Sequence, residues 1–75
     1  MIRDLVSAES PDWAHRVADT AAELETLYES GDISADEYRE LLTDLARTLE
    51  LDEHADNMDL KSSLVSAISN TAAVL

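Results

Sequence analysis

The chain has 75 residues, 17 acids against 5 lysines and arginines, and a net charge of −12. A core of this size rarely supplies more than about 3–5 kcal/mol without a staple, and the absence of cysteine removes both disulfides and thiolate metal sites. The charge excludes direct nucleic-acid binding, which needs basic residues to meet phosphate, and no apolar run approaches the ~20 residues of a membrane span.

The first nine residues read as a short N-terminal segment. Ile2, Leu5 and Val6 fall on one side of a helical turn that must dock on a larger body. Met1 to Val6 is too short and too charged for the apolar part of a signal peptide. With the missing cysteines, this predicts a cytoplasmic protein.

Ser10-Pro11-Asp12 predicts the start of a first helix, over 11–30. Ser10 is a suitable N-cap, Pro11 suits the first helical position, and Asp12 favours the positive end of the helix dipole. Trp13, Val17, Ala21, Leu24, Leu27 and Tyr28 share one face at helical spacing. Glu25 and Glu29 lie at the helix C-terminus, where carboxylates are unfavourable.

Gly31 is expected in a left-handed conformation that stops this helix. Ser34 then caps a second helix over 35–50, with Glu37 reaching back to the Ser34 N–H in a capping box. Ile33 and Tyr38 are placed to form a hydrophobic staple. Tyr38, Leu41, Leu42, Leu45 and Leu49 form the apolar face. Asp36, Glu37, Glu40 and Asp44 form a negative stripe opposite, interrupted by Arg39 and Arg47. Such a stripe solubilises a helix or docks a basic partner.

Asp56 or Asn57 is expected to cap a third helix over 58–73. Leu60, Leu64, Ile68 and Leu75 cluster on one face, while Ser62, Ser63, Ser66, Ser69 and Asn70 form an uncharged face opposite. Charge is therefore segregated: residues 57–75 contain one acid and one lysine, and the remaining acids crowd residues 4–56. Leu60, Leu64, Ile68 and Leu75 are accordingly the candidate partner-binding residues, with Asp36, Glu37, Glu40 and Asp44 as a candidate acidic docking face.

The expected fold is all-α, a helical hairpin completed by a third helix. Short connections make neighbouring helices antiparallel. The expected core is Trp13, Val17, Leu24, Leu27, Tyr28, Ile33, Tyr38, Leu41, Leu42, Leu45, Leu49, Leu60, Leu64 and Ile68.

No motif carries chemistry. Gly31 and Glu37 fall where an EF-hand loop has its turn glycine and closing glutamate, but Thr26, Tyr28 and Ser30 then stand where calcium needs carboxylates. Asp52, Glu53, His54 and Asp56 are suitable metal ligands by type, yet consecutive loop residues rarely converge. Gly31 is the only glycine, which excludes a phosphate-cradling loop. Neither an enzyme nor a cofactor is expected.

The pattern Leu24-x-x-Leu27-Tyr28-x-x-Gly31-x-Ile33-Ser34-x-x-Glu37-Tyr38-x-x-Leu41-Leu42 resembles the SHOCT (short C-terminal domain) family over about residues 19–49. That resemblance implies a two-helix hairpin acting as a non-catalytic module for oligomerisation or protein contact. The small unstapled core independently points to a homo-oligomer, or to a subunit of a complex with a protein partner. Small adaptors and minor components of viral particles fit this description. The alternative is an acidic nucleic-acid mimic that blocks a basic nucleic-acid-binding protein, its carboxylates standing in for phosphates.

Overall fold

The structure, a computed structural model, describes residues 5–75. Three helices follow in order: α1 (Asp12–Glu29), α2 (Ala35–Leu51) and α3 (Met58–Ala73). They form a small all-α three-helix bundle.

The start of α1 differs from the expectation. Pro11, not Ser10, is the N-cap, with extended backbone and no side-chain capping bond. Its carbonyl accepts from the N–H groups of Ala14 at 3.0 Å and His15 at 3.4 Å. Ser10 Oγ instead accepts from the Ser7 N–H at 3.0 Å, closing the preceding turn. Proline's fixed φ already suits a helix entry, which leaves Ser10 free for that turn. Within the N-terminal segment, Val6 packs against the core while Leu5 stays 40% exposed. The expectation for Ile2 lies outside the described residues.

Gly31 ends α1 as expected, at φ +83°. Its N–H donates to the Tyr28 carbonyl at 3.1 Å, and the Asp32 N–H donates to the Leu27 carbonyl at 2.9 Å. This is a Schellman motif, which satisfies carbonyls that the helix leaves unpaired. Ser34 then caps α2 by accepting from the Glu37 N–H at 3.1 Å. The reciprocal half of the box differs: Ser34 Oγ meets Glu37 Oε1 at 3.4 Å, in place of the backbone N–H. Ile33 packs into the same core cluster as Tyr38, where a staple belongs.

The second connection is built by its polar residues. The Asp52 carbonyl, at the C-cap of α2, accepts from Lys61 Nζ at 2.9 Å. Asp52 Oδ1 accepts from the His54 N–H at 2.9 Å. Asp56 Oδ1 accepts from Trp13 Nε1 at 3.3 Å, tying α1 to the start of α3. Asn57 is the α3 cap, accepting from the Leu60 N–H at 3.1 Å.

The helices pack unequally. α3 lies most extensively on α2, α1 packs mainly on α2, and α1 touches α3 least. One core cluster surrounds Trp13, with Ala14, Leu49, Ala55 and Leu64; the other surrounds Tyr38, with Leu42, Ala46, Ile68 and Ala72. Val17 and Val65 border both. The Tyr28 and Tyr38 rings stack across the hairpin, centroids 4.8 Å apart.

Two expected core residues are corrected by their exposure: Leu27 is 38% and Leu41 40% exposed. Val17, Leu24, Tyr28, Ile33, Leu45 and Leu60 are half-buried. In their place, alanines supply half of the buried positions among the described residues: Ala14, Ala18, Ala21, Ala46, Ala55 and Ala72. Helix separation follows side-chain size at the contact, so small residues let the backbones approach and push the larger neighbours to the rim.

Such a core leaves much surface outside. The accessible area is 4922 Å², against about 4,500 Å² from the size scaling of folded monomers. The body is elongated, 34 × 22 × 17 Å.

Candidate interaction surfaces

The apolar residues of α3 are consumed within the chain. Leu64 and Ile68 have no solvent exposure. Leu60 is half-buried against the Trp13 cluster, and Leu75 half-buried against the Tyr38 cluster. Arg39 Nη2 donates to the Leu75 carbonyl at 2.6 Å, fastening the end of α3 to the start of α2. The four candidate partner-binding residues are thus occupied by the bundle itself. The physical reason is direct: α2 needs that face to bury Leu42 and Leu49.

What α3 leaves outside is its other side. Ser62, Ser63, Ser66, Ser69, Asn70 and Ala73 are exposed. Met58 and Val74, at its two ends, are 70% and 83% exposed. Lys61, Val65 and Ser66 of α3 meet Glu50 of α2 in a shallow depression of about 220 Å³. The exposed residues of α3 carry one charge, that of Asp59.

The acidic candidates lie together as expected. Asp36, Glu37, Glu40 and Asp44 are all exposed on α2. Arg39 pairs with Asp36 at 3.1 Å, but the Asp36 side chain is 90% exposed, so solvent screens the pair to little net value. Arg39, Thr43 and Arg47 line the same shallow depression as Asp36, Glu40 and Asp44. Positive charges therefore interrupt the stripe. Among the described residues, no three His, Asp or Glu side chains gather as metal ligands.

A third surface escaped the reading of the sequence. Trp13, Arg16, Val17 and Thr20 of α1 face Leu45, Thr48 and Leu49 of α2 and its cap residue Asp52 across a groove of about 180 Å³. Leu27 lines a separate depression on α1 with Ala22, Glu23 and Thr26, and Leu24 packs against the Tyr38 cluster.

The electrostatics are felt at Tyr38. Burial pushes its phenol above the ordinary value of 10.0, and the nearby charges of Glu25 and Glu29 raise it further. The carboxylates at the C-terminus of α1 thus act on the start of α2, across the hairpin.

No helix among the described residues is long and apolar enough to cross a membrane. Comparison of the chain with protein-family models, curated proteins and solved structures found no match.

Proposed function

We propose that this chain is a non-catalytic, cytoplasmic protein–protein interaction or assembly module. It meets copies of itself, or a larger assembly, through the outer face of α3. The observation that carries this reading is the distribution of charge. On a body of net charge −12, two copies repel wherever carboxylates face each other. The outer side of α3 is where two copies meet with the fewest carboxylates opposed, and it ends in the exposed Met58 and Val74. The small core gives self-association a thermodynamic purpose, because subunit binding adds to apparent stability. The SHOCT-like resemblance of residues 19–49 implies the same class of role. The nucleic-acid mimic has less support, because Arg39 and Arg47 interleave with Asp36, Glu40 and Asp44.

Charge placed on the face tests this. Ser66→Glu with Ser69→Glu alters two exposed positions and should dissociate the assembly in sedimentation velocity, with the helical circular dichroism spectrum kept. Unchanged sedimentation of the variant would overturn α3 as the contact.

A further inference from the structure

The three helices are not held equally. α3 is fastened to α2 at both ends: Lys61 Nζ donates to the Asp52 carbonyl at 2.9 Å, and Arg39 Nη2 to the Leu75 carbonyl at 2.6 Å. Between those ends Leu42, Leu64 and Ile68 have no solvent exposure. α1 packs less on α2 and least on α3. Three of its four buried residues are alanines, Ala14, Ala18 and Ala21, and an alanine removes little apolar area from water. The fourth is Trp13, whose Nε1 donates to Asp56 Oδ1 at 3.3 Å, long for an N–H···O bond.

Charge works against the same contact. α1 carries Asp12, Asp19, Glu23, Glu25 and Glu29 against Arg16. α2 carries Asp36, Glu37, Glu40, Asp44 and Glu50 against Arg39 and Arg47, whereas Asp59 and Lys61 of α3 cancel. Glu25 and Glu29 of α1 already act on Tyr38 of α2. Packed helices lie about 8–10 Å apart, inside the Debye length of about 30 Å at 0.01 M salt and well beyond that of about 3 Å at 1 M. Repulsion between α1 and α2 is therefore felt at low ionic strength and screened at high, and α3 is spared it.

We propose that α1 is a strap that swings off the α2–α3 hairpin as a unit, hinged at Gly31, and that ionic strength sets how often it opens. Gly31 stands at φ +83°, and glycine accepts the wide backbone range that a hinge needs. Trp13 is at the far end of the strap and travels furthest. Its departure uncovers Leu49 of α2, Ala55 of the second connection and Leu64 of α3, which pack around it. The motion belongs to a single chain and does not depend on association through α3.

Hydrogen exchange of the full chain, read segment by segment at about 0.01 M and about 1 M NaCl, tests this. Amides of α1 should exchange through a smaller opening than those of α2 and α3. Their protection should rise at least about tenfold between the two salts, and by more than that of α2 and α3. Trp13 is the only tryptophan and is 7% exposed, so acrylamide, an uncharged quencher, should reach it more readily at low salt. Glu25→Gln with Glu29→Gln removes two like charges; it should raise α1 protection at low salt and flatten the dependence. The Ser66→Glu, Ser69→Glu protein should keep the α1 behaviour of the unaltered chain, which separates the strap from self-association. Exchange of all three helices through one common opening at both salts would overturn the proposal. So would α1 protection that ignores salt, or that follows salt only while the α3 face is unaltered.

Discussion

Leu64 and Ile68 show no solvent exposure, and this decides what a substitution there does. Truncating a buried leucine or isoleucine to alanine costs about 2–5 kcal/mol. The whole stability of a chain this length is of the order of 4–11 kcal/mol, from about 0.05–0.15 kcal/mol per residue. Leu64→Ala should therefore lower the urea midpoint sharply, and Leu64→Asp should unfold the chain, since it buries an unpaired carboxylate. A folded but dissociated Leu64→Asp protein would contradict the core assignment. Tyr38 adds a pH dependence whose sign is fixed. Its folded pKa lies above the ordinary 10.0, so the folded state holds the proton more tightly. The stabilisation is intact below pH ~10 and is lost as pH rises through the folded pKa. The urea midpoint should fall on going from about pH 9 to 11, and Tyr38→Phe should flatten that fall. An equally steep fall in the variant would assign it to another group.

At the scale of the helix, the ends were legible in the sequence where one residue type performs one backbone task. Gly31 stops α1 with φ +83°, Ser34 caps α2 and Asn57 caps α3. Ser10 does not cap α1, because Pro11 enters the helix without a side-chain cap. The faces were legible only in part. A stripe of large residues marks where a helix is apolar, yet it does not say how much of that stripe a neighbour covers. Ala14, Ala18 and Ala46 are buried, and Leu27 and Leu41 stay exposed. Which α3 residues stay accessible could not be read from α3 in isolation for the same reason. Its leucines were claimed first by α2. The C-terminus of α1 carries unrelieved charge, with no basic residue in its last turn, whereas Lys61 Nζ reaches the Asp52 carbonyl at the α2 C-cap and Arg39 Nη2 reaches the Leu75 carbonyl just past α3. Glu29, exposed at the last position of α1, opposes the dipole there. Glu29→Lys should stabilise the chain by about 0.3–1 kcal/mol at low ionic strength, and the gain should shrink in about 1 M salt. An equal gain at both salts in thermal melts would refute the electrostatic explanation. The same substitution removes one of the charges that raise Tyr38.

At the scale of the molecule, charge is distributed unevenly over a small body. The core is thin, the α2 face carries Asp36, Glu37, Glu40 and Asp44 with Arg39 and Arg47 among them, and the outer side of α3 carries little charge. Self-repulsion is strong at low ionic strength, where the Debye length is about 30 Å at 0.01 M and so approaches the longest dimension of the body. At 1 M it falls to about 3 Å, and apolar contacts then decide association. The most direct measurement is the molar mass of the unaltered chain by light scattering after gel filtration, at low and at high salt. The account predicts a discrete oligomer whose population grows with salt, as screening lets the α3 faces meet. A folded monomer of 8.2 kDa at both salts would contradict self-association through α3.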